Sequence, residues 1–584
     1  MKKNNAFRRA AALMAALSIT VSLAAPAFAD TYYIDYGDIT ITKNEDGSQT
    51  IEQGGDKWTD KAGEETVITT SNTVITTLES DLEGPAAEDS DFGPVVGDNY
   101  QSAQPEDAEE PKDADQPESA EEPKSSDRQE SADQQAAPAA APAGATPVNP
   151  KDDGFWGNTI TVINNIADKV LNLTLKDVKI DVSDTGGDNF EFEDDQIGKA
   201  ALSVEGKGNV EIELDGNNEL KSGASKAGLE KTSTGKLTLK DDNNEAGSLT
   251  ATGGASAAGI GGGFQGKGEN ITITGGTVNA TGNEDGAGIG GGSSGSGENI
   301  TINGGEVTAS GGDNWDDCGA GIGGGNGSDG ENITINGGSV TATGGSYAAG
   351  IGGGSVGFWG GESGSGKNIT INGGTVNATG TDGGAGIGGG ENGNGEDITI
   401  NGGKVNASGA YGGAGIGGGV NGIGSKVTVS GAAQVTATAT GSGPDWSGVG
   451  TGATIGNGGS KTPDGPVDGK EIQADISHLT TGYIHHIIYN PDLDLDGKPD
   501  GILKEWWEFA LPKPIPDGES LDLHVETLKG APLLFNTRQQ GSTLRVTTDN
   551  LSARLHGTRQ ALETLQEQGV EQIQFVTTLK TTTL

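Results

Sequence analysis

The chain has 584 residues, a formal net charge of −47, 104 glycines and an aromatic content of only 4%. This charge argues against a nucleic-acid partner because the phosphates would be repelled, and the shortage of large side chains argues against a thick globular core. Abundant glycine without a strict triplet period excludes collagen and favours a solenoid, whose core is one side chain deep.

The first 29 residues are predicted to be a secretory signal peptide. Basic residues at the start precede an apolar run, and Ala27-Phe28-Ala29 fits a cleavage site before Asp30. An N-terminal membrane anchor is the alternative, but the apolar run is short for a span. No later stretch of 18 apolar residues exists. We therefore expect a mature protein without a membrane span that is secreted or extracellular, either released or held at the cell surface.

Two segments precede the central region. Residues 30–83 show short alternating strands and are predicted to cap a solenoid. Residues 84–153 are acidic and rich in proline and alanine, a composition that cannot bury enough apolar surface to offset chain entropy. They are predicted to be a disordered linker. Because strand patterns flank this segment at Thr66–Thr77 and Asn158–Asn164, an insertion within a first solenoid coil is the other interpretation.

A repeat fills the central region, residues 154–468. The string Ala-Gly-Ile-Gly-Gly-Gly recurs about every 30 residues, with its isoleucine at Ile260, Ile289, Ile322, Ile351, Ile387 and Ile416. Each unit then continues with Asn-Ile-Thr-Ile and with Gly-Gly-x-Val-x-Ala, in which apolar and polar residues alternate. Three inward-facing strands per unit predict one triangular turn of a parallel β-helix, with like strands stacked about 4.8 Å apart.

Asparagines recur at one corner of each predicted coil. Asn303, Asn336, Asn372 and Asn401 each follow Ile-Thr-Ile and precede Gly-Gly. Asparagine and glycine tolerate the left-handed backbone that a sharp corner requires. The sequence therefore predicts a left-handed corner and a ladder of hydrogen-bonded asparagines with a structural role.

The repeats resemble a known family. The runs Asn172–Ile180 and Asn209–Leu214, together with the Ala-Gly-Ile-Gly-Gly-Gly units, are similar to a bacterial carbohydrate-binding β-helix family related to pectate-lyase-like right-handed β-helices. The resemblance covers residues 155–460, with a weaker echo at Tyr32–Thr77. It implies an all-β fold, a right-handed parallel β-helix, and a polysaccharide as partner.

Catalytic residues are missing from the repeats. A lyase on this fold needs an arginine or lysine base beside acidic calcium ligands, but no arginine lies between Arg128 and Arg538, and all five histidines follow the repeats. No general base or carboxylate pair recurs on the strands. We therefore expect a protein that is not an enzyme, with a polysaccharide lyase as the weakest alternative.

Aromatic residues are the candidate carbohydrate-binding residues. One loop precedes the Ala-Gly-Ile segment, or its divergent seventh copy Ala-Thr-Ile-Gly-Asn-Gly at Ile455, and carries Trp315, Tyr347, Tyr411 and Trp446. Trp359 lies in the loop after Gly-Gly-Gly. Coils stacked in register would align the first four rings along one edge, where they could stack on a polysaccharide or a cell-surface glycan. The alternative is that these rings cover loop glycines or cap the rod. For the whole protein, the alternative is a structural or adhesive stalk that contacts host or neighbouring-cell proteins.

A calcium site is predicted beyond the repeats. Asp492, Asp494, Asp496 and Asp500 surround Gly497 at the alternate spacing of a calcium loop. Leu503 stands where an EF-hand has glutamate, so the motif resembles the shorter loops of extracellular calcium modules. Calcium would be a structural ion, and a solvated acidic turn is the alternative.

Residues 469–584 are predicted to form a small α+β module that caps the open edge of the solenoid or attaches it. The sequence predicts strands at His485–Tyr489, Leu544–Thr547 and Gln572–Thr577 and a helix at Leu551–Gln568. His485 and His486 beside Trp506 and Trp507 form a candidate site, with ordinary packing as the alternative.

Overall fold

The computed structural model describes residues 30–70, 150–151, 153–187, 197–243, 245–314, 317–355, 363–441, 448–491, 501–510, 523–529, 532–567 and 569–584. The predicted signal peptide and nearly all of the predicted linker lie outside these residues. The described part of the chain is almost entirely β-structure. It forms a right-handed parallel β-helix followed by a small module with one α-helix.

Three sheets, named A, B and C, form the sides of the β-helix, and each central coil passes through them in the order B, A, C. Sheet A consists of Asp30–Tyr33, Thr66–Thr69, Val170–Lys176, the first part of Asn209–Lys221, Leu237–Lys240, Gly268–Ile273, Gly297–Ile302, Gly330–Glu331, Thr334–Ile335, Gly366–Ile371, Gly395–Ile400 and Gly424–Val429. The strand Asn209–Lys221 bends from sheet A into sheet C, so the two sheets are continuous at that coil.

Sheet B consists of Ile39–Lys43, Gln49–Gln53, Asp56–Asp60, Ile160–Asn164, Leu202–Gly206, Leu229–Lys231, Ile260–Gly261, Ile289–Gly290, Ile322–Gly323, Ile351–Gly352, Ile387–Gly388, Ile416–Gly417 and Ile455–Gly456. Sheet C consists of Lys179–Asp181, the second part of Asn209–Lys221, Gly247–Thr252, Thr277–Thr281, Glu306–Ser310, Ser339–Thr343, Thr375–Thr379, Lys404–Ser408, Gln434–Thr440, Tyr483–Tyr489 and Ile502–Phe509. Short hairpins join Asp313–Asn314 to Asp317–Cys318 and Ser460–Thr462 to Gly465–Val467.

Like residues stack on like residues between coils. In sheet B, Ile289 pairs with Ile260 on one side and with Ile322 on the other. In sheet C, Val307 pairs with Val278 and Val340 in the same manner. These side chains are at most 1% exposed. The core is therefore a set of aligned aliphatic ladders, as the alternation of apolar and polar residues predicts.

The asparagine ladder at the corner between sheets A and C is confirmed. The Nδ2 atom of Asn336 donates to Asn303 Oδ1 at 2.7 Å, and Asn372 donates to Asn336 over the same distance. The predicted left-handed corner is also present, and a glycine adopts this backbone conformation while the asparagines do not. The corner uses the second glycine after them, such as Gly305 with φ of 86°. Asn299, within the strand Gly297–Ile302, has φ of 55° and is left out of the strand pairing, as is the equivalent Asn270 in the preceding coil.

Glycine is required where sheet B strands turn. Gly323 has φ of 139°, and a Cβ atom at this position would lie 2.0 Å from the carbonyl oxygen of Gly352 in the next coil. Both the backbone conformation and the close approach exclude a side chain. The same arrangement recurs at Gly290, whose Cβ would lie 1.9 Å from Gly323 O.

The N-terminal strands belong to the β-helix. Ile39–Lys43 pairs in parallel with Ile160–Asn164 in sheet B, and Thr66–Thr69 pairs in parallel with Val170–Lys176 in sheet A. Two antiparallel strands, Gln49–Gln53 and Asp56–Asp60, cover the outer edge of sheet B. Residues 71–149 thus lie in the sequence between strands of the same β-helix.

The parallel sheet extends past the predicted boundary at residue 468. Tyr483–Tyr489 pairs in parallel with Gln434–Thr440, and Ile502–Phe509 adds to it antiparallel. The chain between the last sheet B strand, Ile455–Gly456, and the strand Tyr483–Tyr489 covers the ends of sheets A and B. It does so through isolated β-bridges such as that of Thr428 with Asp475. The end of the β-helix is thus closed by residues that the sequence places in the C-terminal module.

The C-terminal module has its own core. One sheet contains Leu523–Glu526, Pro532–Leu533 and Arg554–Gly557, and a second contains Asn536–Gln540, Thr543–Thr547, Gln572–Val576 and Thr581–Thr583. Its buried residues include Val525, Val546 and Leu565.

The helix of this module is Arg559–Glu567, shorter than the predicted Leu551–Gln568. The strand Arg554–Gly557, near the start of the predicted helix, instead pairs antiparallel with Leu523–Glu526. The Thr558 hydroxyl then accepts a hydrogen bond from the Ala561 N–H at 3.2 Å, as a helix N-cap does.

Replacing Gly323 by alanine is expected to destabilise the β-helix by about 3 kcal/mol, since it combines backbone strain with overpacking. Gly157→Ala is the control, because the nearest atom to its added Cβ is 3.9 Å away. Chemical unfolding followed by circular dichroism measures both variants. Equal stability of the two variants would contradict the close-packing argument.

Candidate functional site

The inward alanine ladder of sheet C ends in a histidine. Ala407 pairs with Ala437, and Ala437 pairs with His486. The His486 ring is 3% exposed, and its Nδ1 lies 2.6 Å from Thr454 Oγ1. Burial lowers the pKa of His486 to about 4, so the ring is neutral near pH 7.

Two carboxylates complete this polar layer. Glu471 accepts hydrogen bonds from the backbone N–H groups of Thr454 and Ile455 at 2.7 and 3.1 Å. Glu508 accepts one from Gln473 Nε2 at 2.9 Å. Burial raises the pKa of both carboxyl groups. The layer closes the apolar core with polar groups, of which the buried His486 Nε2 has no hydrogen-bond partner among the described residues.

An aromatic cluster lies on the opposite, outer face of the same two strands. Tyr483 is paired with Phe509, and His485 is paired with Trp507. The His485 and Trp507 rings stack with centroids 3.7 Å apart, and Tyr483 meets Trp507 edge-on at 5.0 Å. Trp507 is 41% exposed. This cluster, named the aromatic platform, is continuous with the threonines and asparagines on the outer face of sheet C.

Hydrogen bonding orients the platform. The Nε2 atom of His485 lies 2.6 Å from Glu505 Oε1 on the neighbouring strand. Because the ring is held by this contact and by stacking on Trp507, the indole is preorganised before any ligand arrives.

A cavity of about 270 Å³ adjoins the platform. Its aromatic lining residues are Trp507, Phe509 and Phe535, and its polar lining residues include Gln473, Glu508, Asn536 and Asp549. Apolar walls with a few convergent polar groups are typical of a small-molecule site. We name this cavity the junction cleft, because it lies between the end of the β-helix and the C-terminal module.

The predicted loop aromatics are only partly within the described residues. Trp315, Trp359 and Trp446 lie outside them. Tyr347 and Tyr411 are both partly exposed in turns with positive φ, 65° and 46°. Their coils are separated by one intervening coil in sheet B, which places the two residues on one edge about 10 Å apart along the rod.

The predicted calcium ligands Asp492, Asp494, Asp496 and Asp500 also lie outside the described residues. The ends of their loop are described. Tyr483–Tyr489 and Ile502–Phe509 pair antiparallel, and the Asn490 N–H donates to Gly501 O at 2.9 Å. The loop therefore closes a hairpin.

Sequence reasoning missed several buried charged groups within the coils, of which Lys231 and Glu391 are two. Lys231 is 2% exposed and donates from Nζ to Ser233 O at 2.6 Å; burial lowers its pKa to about 8. Glu391 is 7% exposed, and burial raises its pKa to about 7. Its Oε2 atom has no hydrogen-bond partner among the described residues. Lys231 ends the sheet B strand Leu229–Lys231 at the place of a repeat glycine, and that alignment is the signal that could have marked it as buried. Glu391 directly follows the last glycine of an Ala-Gly-Ile-Gly-Gly-Gly copy, where the residue type varies between coils.

Comparison with known proteins bears on the architecture. A family described as "Beta helix repeat" matches six segments, residues 245–264, 271–293, 300–326, 333–355, 369–391 and 398–420. The chain is a β-helix repeat protein. No curated protein and no solved structure matches it significantly. The matched segments are the glycine-rich coils described above.

Membrane insertion through a helix has no support in the described part of the chain. None of the helices found there has the length and apolarity that crossing a bilayer requires.

The buried Glu391 predicts a pH-dependent stability. The pKa of its carboxyl group is raised from an ordinary value of 4.5 to about 7 in the folded protein, so its contribution is present below about pH 4.5 and is lost as the pH rises through 7. Glu391→Gln should remove this loss and stabilise the protein at pH 8 by an amount on the order of 3 kcal/mol. Thermal unfolding from pH 5 to 8 measures the effect. Glu396→Gln in the same coil is the control, and parallel profiles for wild type and Glu391→Gln would contradict the prediction.

Proposed function

We propose that this protein is a secreted, non-catalytic β-helix protein that binds polysaccharide. The observation that carries the proposal is the aromatic platform around Trp507 beside the junction cleft. Its exposed indole, with amide and carboxylate groups nearby, has the chemistry that recognises sugars.

The indole and the cleft act on different parts of a sugar. An aromatic face contributes apolar contact and electrostatic attraction to the C–H groups of a pyranose ring. Gln473, Asn536 and Asp549 supply donors and acceptors for hydroxyl groups, and unmatched buried hydroxyls are penalised. The volume of the cleft, about 270 Å³, suits one sugar unit with the rest of the chain lying outside.

The edge that carries Tyr347 and Tyr411 is a second contact surface in this proposal. Two rings two coils apart match a spacing on the scale of a disaccharide unit. Trp315 and Trp446 remain predicted members of this edge, and Trp359 remains a predicted contact residue in the other loop. A polysaccharide could thus contact the side of the rod as well as its end.

An adhesive or structural stalk is the second candidate. The specific observation in its favour is the uninterrupted in-register stacking of sheets A, B and C, reinforced by the asparagine ladder. Such a rod can present its end to a host or neighbouring-cell protein without any carbohydrate site. A polysaccharide lyase remains the weakest candidate. The buried Lys231 ammonium donates its hydrogen bond to the backbone oxygen of Ser233 and so is not placed to act as a base on a substrate.

Trp507→Ala is expected to weaken glycan binding about twofold to tenfold, since one aromatic contact contributes about 0.5–1.5 kcal/mol. A glycan array with the mature chain identifies the ligand, and calorimetric titration of the best ligand measures the loss. Tyr36→Ala, at the other end of the rod, is the matched aromatic control.

The double variant Tyr347→Ala/Tyr411→Ala separates the edge from the platform. Loss of binding in this variant alone would place the site on the edge. A wild-type protein that binds no glycan on the array would overturn the carbohydrate proposal and favour the stalk.

Calcium is proposed as a structural ion of the Asp492–Asp500 loop. The ion would offset two of the four negative charges of the aspartates and so stabilise the hairpin, by about 2.7 kcal/mol at a calcium concentration of 100 times Kd. Melting temperatures with calcium and with chelator measure this effect. Asp494→Asn/Asp496→Asn should abolish the difference, and the exposed Asp464→Asn should keep it. Identical melting temperatures of the wild type in both conditions would contradict calcium binding and favour a solvated acidic turn.

A further inference from the structure

Three side chains with metal-ligating atoms lie on one face of the C-terminal module. The strands Leu523–Glu526 and Arg554–Gly557 pair antiparallel, which sets His524 directly opposite His556. Glu526 is two residues from His524 and therefore shares its face. Val525 between them faces the core and is 1% exposed. Strand pairing thus collects two imidazoles and one carboxylate at the surface.

The three side chains are close enough to share one ion. Their ligand atoms all lie within 4.8 Å of one another. The His524 and His556 rings are stacked with centroids 5.0 Å apart and planes 8° apart, and His556 Nε2 lies 2.8 Å from Glu526 Oε1. A metal with bonds of about 2.0–2.2 Å would replace the proton shared by His556 and Glu526 and would draw in His524 by a side-chain rotation.

We infer that His524, Glu526 and His556 form a binding site for a divalent transition metal, of which zinc is the representative. Imidazole nitrogen suits zinc, copper and nickel, whereas calcium takes oxygen ligands. The site is therefore chemically distinct from the Asp492–Asp500 loop. Three protein ligands leave one coordination position open for water or for a group from another molecule.

Arg554 limits the affinity of this site. It is paired with Glu526 across the strands, and its Nη1 lies 4.0 Å from Glu526 Oε1. The guanidinium competes with a cation for the carboxylate. Because both groups are partly exposed, removing this charge should strengthen metal binding by roughly twofold to fivefold.

Calorimetric titration of zinc into the chelator-treated full chain tests the inference. Excess calcium is present so that the aspartate loop does not take up zinc. One zinc per chain is expected, and His524→Ala or His556→Ala should weaken it at least about tenfold. Arg554→Gln should strengthen it. Cobalt as a spectroscopic substitute should give visible absorption bands that both histidine variants lose.

His478→Ala is the matched control, since it removes a histidine elsewhere and should leave zinc binding unchanged. His524→Gln repeats the test with a side chain of similar polarity, and metal-free melting shows that each variant is folded. Two results would overturn the site. One is zinc binding that persists unchanged in both His524→Gln and His556→Ala, and the other is a wild-type chain that binds no zinc.

Discussion

The parallel hydrogen-bonded stacking of one coil on the next is the constraint on which this protein depends. A strand of two residues, such as Ile322–Gly323, cannot bury its isoleucine or satisfy its backbone alone. It becomes stable only because the coils on both sides supply partners in register. Close stacking in turn excludes side chains at the turn glycines, where a Cβ would meet the carbonyl of the next coil. The glycine content is thus a consequence of the spacing between coils.

Stacking also determines where chemistry can be placed. Within the uniform coils, inward positions are occupied by aliphatic ladders and outward ones by polar ladders. The ends are different, because the last coil has no further coil to pair with. At one end, antiparallel strands cover sheet B. At the other, His486, Glu471 and Glu508 close the core, and Trp506 stacks on the His486 ring at 4.5 Å.

The proposed binding surface follows from this termination. The strands that end sheet C need side chains on both faces, and their inner face is used by the polar layer. Their outer face is free to carry Tyr483, His485 and Trp507, which no further coil covers. The C-terminal module then forms the second wall of the junction cleft. A ligand at this place would contact the rod and the module together, which gives the module a role in recognition within the proposal.

Sequence by itself determined the repeating part of this protein. The recurrence of Ala-Gly-Ile-Gly-Gly-Gly and the alternation in Asn-Ile-Thr-Ile were sufficient to predict the β-helix, its aliphatic core and the asparagine ladder, because each depends on period and on identical neighbours. Only the tertiary structure decided the rest. That the N-terminal strands join sheets A and B and that Tyr483–Tyr489 extends sheet C both depend on pairing between distant residues. The aromatic platform and the grouping of His524, Glu526 and His556 likewise arise across strands whose register no periodic pattern specifies.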